Sequence, residues 1–167
     1  DGQRGPCRAR RPWRGLGLGW AVAPHGPADV IGLHCFNRAT VMGLVEVVHT
    51  IRTAPATLAI GRAVVERLGK QPVVCADRAG FVVNALLFPY LNNAVRLVEN
   101  GVASKEDVDA AMKGGCGFPM GPFKLLDLVG LDTSLSILDA LYEEFRDPNY
   151  AAVPLLRRMV SAERLGR

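Results

Sequence analysis

The sequence has few cysteines and no long hydrophobic run, and these two shortages exclude several classes of protein. It has four cysteines, Cys7, Cys35, Cys75 and Cys116. They form neither a C-x-x-C pair nor a cluster with histidine. That spacing argues against a zinc site or a redox pair and predicts buried, reduced thiols in a cytosolic protein. The longest apolar stretch, residues 80–91, is interrupted by Asn84 and Pro89. It is too short to span a membrane and predicts a buried helix.

An excess of one charge is also missing from most of the chain. The formal net charge is +4, but residues 1–28 hold five arginines against one acid, Asp1, which accounts for the whole excess. The remaining residues are neutral overall and offer no broad basic surface for nucleic acid. Hydrophobic residues make up 49% of the chain, enough for a sizeable core. The N-terminus lacks the apolar segment of a signal peptide, so no export signal is expected.

Residues 1–28 differ in composition from the rest and predict a disordered or aberrant arm. They contain six glycines, four prolines and five arginines without a periodic apolar pattern, so they can bury little surface. An Arg/Gly-rich arm that binds nucleic acid is the alternative, although repeats are missing. The glycines at positions 15, 17 and 19 have G-x-G-x-G spacing, with no apolar strand before them and no helical pattern after them. They do not predict a dinucleotide-binding loop.

The remaining chain predicts a short α/β segment followed by helices. Apolar, β-branched runs predict strands over residues 30–36, 41–48 and 72–76, with a helix over residues 55–68 whose N-cap is Thr53. From residue 78 onwards the pattern predicts helices over residues 80–100, 104–113, 125–129, 133–145 and 154–162, with a loop over residues 114–117. The expected fold is mainly α, with the end of an open α/β sheet preceding the helices.

His34 and Glu46 are ionisable residues that interrupt the first two apolar strands. Burying such a side chain alone costs several kcal/mol, so each needs a partner. If the strands are neighbours, Glu46 can hold one imidazole nitrogen of His34 and strengthen it as a base, while the other nitrogen exchanges a proton with a substrate. That arrangement is a general acid/base dyad. A purely structural pair in the core remains the alternative.

Asn84 is a third polar residue in apolar surroundings, near the start of a predicted helix. Taken alone, it is best interpreted as an amide that is hydrogen-bonded to nearby backbone. His25 and His49 lie in the arm and at a strand end, where solvated histidines are expected.

Three motifs resemble the 3-hydroxyacyl-CoA dehydrogenase family, and the resemblance is closest to its short 3-hydroxybutyryl-CoA dehydrogenase branch. They are Ile-Gly-Leu-His-Cys-Phe-Asn at 31–37 with Val-Met-Gly-Leu-Val-Glu-Val-Val at 41–48, Asp-Arg-Ala-Gly-Phe-Val-Val-Asn at 77–84, and the segment 117–132 that begins Gly-Phe-Pro-Met-Gly-Pro-Phe. The resemblance covers about residues 29–167. It implies a C-terminal remnant of an NAD-binding Rossmann domain over 29–77 and an all-helical, 6-phosphogluconate-dehydrogenase-like domain over 78–167.

The same resemblance implies a function. Members oxidise (S)-3-hydroxyacyl-CoA reversibly to 3-ketoacyl-CoA with NAD, in fatty acid metabolism. It implies that His34 takes the hydroxyl proton, Glu46 orients His34, Asn84 holds the thioester or keto oxygen, and Asn37 binds substrate. An acyl-CoA substrate, a homodimer formed through the helical domain, a cytoplasmic location and no metal, nucleic-acid or membrane partner are expected. A non-catalytic helical dimerisation module is the alternative.

The chain departs from the family pattern mainly before His34. The family's glycine-rich NAD loop and its active-site serine have no counterpart upstream, and Arg38, Gly43 and Ala85 replace residues that are common in the family. The sequence is therefore expected to be a fragment that is inactive alone. Residues 1–28 fit the hypothesis of a frame-shifted translation, and reading the encoding DNA in its other frames tests it.

Overall fold

The computed structural model describes residues 26–36 and 41–166, which form a three-stranded sheet followed by helices. The strands are β1 (Gly32–Cys35), β2 (Leu44–His49) and β3 (Gln71–Ala76). The helices are α1 (Pro55–Arg67), α2 (Val83–Glu99), α3 (Lys105–Cys116), α4 (Pro122–Val129), α5 (Leu131–Phe145) and α6 (Pro154–Ser161). The predicted fold, mainly α with a small sheet, is confirmed. Most of the predicted arm, residues 1–25, lies outside the described residues.

The sheet has the order β1-β2-β3 and mixes two kinds of pairing. β2 pairs antiparallel with β1 and parallel with β3, and α1 makes the crossover between the parallel strands. Val45 and Val47 of β2 pack with Val65 of α1 in one small apolar core. Because side chains alternate along a strand, Glu46 and Val48 face the other side of the sheet. That side carries the candidate site.

A larger apolar core holds the helices together. α2 runs through it and contributes Phe88, Leu91 and Val95, while α5 contributes Leu138 and Leu141. Leu91, Leu138 and Leu141 are each 1% exposed, so this core fixes the direction in which α2 leaves the sheet.

Several predicted boundaries were wrong, for identifiable reasons. The strand predicted from residue 41 begins at Leu44, and the helix predicted from residue 80 begins at Val83, because Gly80 and Phe81 adopt left-handed φ angles of 77° and 46°. The predicted loop over 114–117 is the last turn of α3, and only Gly117, with φ 69°, ends it. α4 and α5 begin at Pro122 and Leu131, before the predicted positions 125 and 133.

Two predictions about individual side chains were also wrong. Thr53 does not cap α1: Ala54 is at that position, and the Thr53 hydroxyl donates a hydrogen bond to the Val30 carbonyl at 2.8 Å. The hydroxyl therefore ties the start of α1 to the chain that leads into β1. Cys75 is buried as expected, but Cys35 is only half-buried, and Cys116 is exposed because it lies at the end of α3.

Asp109 links α3 to α4 through a buried carboxylate. Its two oxygens accept hydrogen bonds from the backbone N–H groups of Phe123 at 2.7 Å and Lys124 at 3.2 Å, in the first turn of α4. Gly121, the residue before α4, allows this approach, because a Cβ atom there would lie 2.3 Å from Cγ of Asp109. One helix therefore supplies the N-terminal cap of the next.

We expect Asp109→Ala to lower the free energy of unfolding by about 1–3 kcal/mol, because it leaves two partly buried amide donors in the first turn of α4 without their side-chain acceptors. Asp109→Asn keeps one oxygen and should lose less. Urea denaturation of the chain measures both. Glu143→Ala, an exposed site on α5, is the control and should change stability by less than about 0.5 kcal/mol. Equal stability of the Asp109→Ala and Glu143→Ala variants would show that the cap contributes nothing.

Candidate active site

His34 and Glu46 lie directly opposite each other on β1 and β2. The His34 Nδ1–H donates a hydrogen bond to Oε2 of Glu46, with 2.6 Å between the heavy atoms. His34 is 6% exposed and Glu46 is 0% exposed. The structure thus brings together the two residues that the sequence singled out, and a buried charge-assisted hydrogen bond of this length fixes the orientation of the imidazole ring.

The second oxygen of Glu46 serves a different element. Oε1 accepts hydrogen bonds from the backbone N–H groups of Val82 at 3.0 Å and Val83 at 2.9 Å, where α2 begins. Val82, the residue at the N-cap position of α2, makes no side-chain capping bond. Glu46 therefore caps α2 from a strand 36 residues earlier in the chain, and the N-terminus of a helix is a favourable place for an anion.

The pKa of Glu46 is set by opposing effects. Burial raises the pKa of the carboxyl, but the hydrogen bonds from His34, Val83 and Val82, together with the charge that His34 can carry, outweigh it. The net result is a pKa below the ordinary value of 4.5. Glu46 is consequently ionised at neutral pH, and its negative charge is available to stabilise an imidazolium on His34.

Cys75 lies on β3, where it is the partner of Val48 in the parallel register. Burial, followed by the negative charges of Glu46 and Asp77, raises the pKa of its thiol to about 11. The thiol therefore stays protonated at neutral pH and does not act as a nucleophile, because that role belongs to the thiolate.

Two aromatic rings lie against the imidazole. The ring centroid of Phe36 is 4.8 Å from that of His34, at an interplanar angle of 65°, and that of Phe81 is 5.2 Å away at 50°. Apolar walls around an ionised hydrogen-bonded pair limit access of water and strengthen its electrostatic interaction. The sequence alone indicates no role at this site for either phenylalanine.

Asn84 is the second residue of α2 and directly follows Val83. Its side chain is half-buried, and no hydrogen bond joins it to any group in the described part of the chain. The described residues thus offer no backbone partner for this amide, and its role stays a prediction. Glu46 caps the turn that carries Asn84 and also accepts a hydrogen bond from His34. One carboxylate therefore fixes both the orientation of the His34 imidazole and the position of the backbone that carries Asn84.

Sequence comparison identifies the family of this arrangement. Residues 80–167 match the pattern of "3-hydroxyacyl-CoA dehydrogenase, C-terminal domain", and residues 21–78 match that of "3-hydroxyacyl-CoA dehydrogenase, NAD binding domain". The chain belongs to the 3-hydroxyacyl-CoA dehydrogenase family. The resemblance noted in the sequence is thereby confirmed, and the three-stranded sheet is consistent with the end of a Rossmann domain.

Individual members of the family are similar over most of the chain. It is 52% identical to a 3-hydroxybutyryl-CoA dehydrogenase of Mycobacterium tuberculosis over 88% of this chain and 52% of that protein. It is 50% identical to the mitochondrial hydroxyacyl-coenzyme A dehydrogenase of Sus scrofa over 81% of this chain and 44% of that protein. The crystal structure of (S)-3-hydroxybutyryl-CoA dehydrogenase from Ralstonia eutropha superimposes with a TM-score of 0.80 at 44% identity, over 82% of this chain and 48% of that one. The chain thus spans about half the length of these relatives.

The other candidate residues from the sequence are not part of the His34–Glu46 site or lie outside the described residues. Asn37 and His25 are not among the described residues. His49 is the last residue of β2, and its Nδ1 lies 3.4 Å from the carbonyl oxygen of Thr50. Within residues 26–36 and 41–166, no three histidine, cysteine or acidic side chains gather as a metal site would require. The same residues contain no helix with the length and hydropathy needed to cross a bilayer.

Proposed function

We propose that this chain carries the proton-transfer machinery of an NAD-dependent (S)-3-hydroxyacyl-CoA dehydrogenase that acts on 3-hydroxybutyryl-CoA or related short substrates, in fatty acid metabolism. The observation that carries the proposal is the buried 2.6 Å hydrogen bond between His34 and Glu46. The names of the relatives from M. tuberculosis and R. eutropha support this substrate class.

In the oxidation direction, the nitrogen of His34 that Glu46 does not hold takes the proton of the 3-hydroxyl group. The imidazolium that forms is stabilised by the Glu46 carboxylate, as in other sites where a carboxylate orients a catalytic histidine. The Asn84 amide donates a hydrogen bond to the thioester or keto oxygen of the substrate, where negative charge develops. Asn37 is proposed to contact the same substrate. In the reduction direction His34 returns its proton.

NAD is the cofactor that this proposal requires, and when bound it accepts the hydride. The described residues do not include the glycine-rich turn between a strand and a helix that binds a dinucleotide. The roles proposed for the described residues therefore concern the transfer of the proton alone. We propose that residues 29–77 are the remnant of a Rossmann domain and that residues 78–167 form a substrate and dimerisation domain. The two family matches support this boundary, because one ends at residue 78 and the other begins at residue 80.

We further propose a homodimer formed through the helical part and a cytoplasmic location. A hollow of about 410 Å³ between α2 and α3 has a mainly apolar lining that includes Leu97, Val108 and Met112. Leu97 and the neighbouring Val102 are 43% and 66% exposed, which is consistent with a surface that a second copy covers. The bacterial relatives support the location, although the Sus scrofa relative is named as mitochondrial.

A chimera tests the proposal. Residues 29–167 would replace the corresponding part of the M. tuberculosis relative, which would supply the rest of the NAD-binding domain. We expect the chimera to sediment as a dimer and to oxidise NADH in the presence of acetoacetyl-CoA. The 167-residue chain alone should neither bind NADH nor turn over. A folded chimera that binds NADH without turnover would contradict the proposed reaction. Turnover by the 167-residue chain alone would contradict the proposal that the rest of the NAD-binding domain is required.

A further inference from the structure

The connection from β3 to α2 contains two consecutive residues with left-handed backbone conformation. Gly80 has φ 77° and Phe81 has φ 46°. At Gly80 no side chain fits, because a Cβ atom would lie 2.7 Å from Cδ2 of Leu141 and 2.9 Å from the backbone nitrogen of Ala85. Phe81 is different, since it keeps a large side chain in a conformation that glycine or asparagine adopts more easily. The turn itself therefore does not explain a phenylalanine at this position.

The surroundings of Phe81 supply an explanation. Its ring centroid lies 5.2 Å from that of His34, and the next two residues, Val82 and Val83, donate their backbone N–H groups to Oε1 of Glu46. The backbone N–H of Phe81 itself donates to the Arg78 carbonyl at 3.0 Å, which closes the turn. The ring of Phe81 thus contacts the imidazole, and its backbone precedes the two N–H groups that bind the Glu46 carboxylate.

We propose that Phe81 is a positioning residue for the His34–Glu46 pair. Its ring shields the hydrogen bond between Nδ1 and Oε2 from water, and its left-handed backbone aims the two following amides at Oε1. The inference rests on the proposed function only for the statement that the positioned pair is catalytic. The shielding is a property of this chain and is measurable without substrate or cofactor.

The exchange rate of the His34 Nδ1 proton with water, measured by NMR in the 167-residue chain, tests the proposal. Phe81→Asn keeps a residue that tolerates the left-handed conformation and removes the ring, whereas Phe81→Tyr keeps the ring. We expect exchange in F81N to be about tenfold faster than in the unmodified chain, because water reaches the pair through local opening. F81Y should stay within about twofold of the unmodified chain.

Two substitutions of Ile137, a residue in the helical core, control for loss of stability alone. Ile137→Val and Ile137→Ala should bracket the stability loss of F81N and leave the imidazole proton protected. The proposal is overturned if F81N exchanges like the unmodified chain, or if an Ile137 variant of equal stability exchanges as fast as F81N. If the imidazole proton is unprotected even in the unmodified chain, the hydrogen bond between His34 and Glu46 does not form in solution. That result would contradict the proposed function as well as the role of Phe81.

Discussion

His34→Gln, introduced into the active chimera, is expected to lower kcat by about 10²–10⁴-fold. Glutamine has a side-chain amide that can still donate a hydrogen bond to Oε2 of Glu46, but it can neither take a proton from the hydroxyl group nor give one to the keto oxygen in the reduction that the assay follows. The loss should therefore fall on the chemical step, with KM for acetoacetyl-CoA changed by only a small factor. Steady-state NADH oxidation, supported by NADH binding to exclude a cofactor effect, measures both constants.

His49→Gln is the matched control, because it makes the same change at the end of β2, away from the proposed site. It should leave kcat within about twofold, because side chains alternate along β2 and His49 therefore faces the opposite side of the sheet from Glu46. A drop of tenfold or less in the His34→Gln chimera, or equal drops in the two variants, would mean that His34 is not the acid/base group. The pair on β1 and β2 would then be the structural alternative that the sequence left open.

The central pair was predictable from the sequence because burial leaves an ionisable residue few options. His34 and Glu46 each interrupt an apolar, β-branched run, so each needs a partner, and two such runs that are adjacent in sequence commonly pair as neighbouring strands. The resemblance to family motifs added Asn84, whose own surroundings in the sequence favoured an ordinary buried amide. The helices after residue 78 followed from apolar periodicity and from glycine and serine at their ends.

What the sequence could not predict are contacts in which a side chain meets distant backbone. Glu46 caps α2 across 36 residues, and Asp109 caps α4 across 14. The sequence indicates that a buried carboxylate needs hydrogen-bond donors. It does not indicate which donors, because every non-proline residue offers the same backbone N–H group. The left-handed conformation of Phe81 was hidden for a related reason: intrinsic preference argues against it, and tertiary contacts impose it. The Glu46 cap and the Phe81 conformation both lie at the start of α2, where the site is assembled.

The Glu46 carboxylate gives the site a coupling that a simple histidine–glutamate dyad lacks. One oxygen orients the imidazole and the other fixes the helix that presents Asn84. Any change that moves Glu46 therefore affects both groups at once, and effects of substitutions at His34 and Asn84 should not be additive with effects at Glu46.

The largest stability effect is expected at Glu46. Glu46→Ala removes the partner of buried His34 and the acceptor of two amides at the start of α2, and loss of one member of such a buried pair typically costs about 3–5 kcal/mol. Glu46→Gln keeps an oxygen for Val82 and Val83, and its NH2 group can donate to Nδ1 of His34 in the other imidazole tautomer, so it removes the charge while allowing hydrogen bonds at both ends. We expect the stability of E46Q to lie between E46A and the unmodified chain, as measured by urea denaturation at pH 7.

The pH dependence of this stability has a definite sign. Because the pKa of Glu46 is lower in the folded chain than its ordinary value of 4.5, the ionised carboxylate contributes stability that is fully present above about pH 5 and lost as the pH falls through the folded pKa. The difference in unfolding free energy between the unmodified chain and E46Q should therefore shrink as the pH is lowered from about 5 to about 3. Val48→Ala, in the same strand without a titrating group, controls for general acid sensitivity and should run parallel to the unmodified chain. If E46Q also runs parallel, the folded and unfolded chains hold the Glu46 proton equally well, and this carboxylate neither stabilises an imidazolium nor caps α2 through its charge.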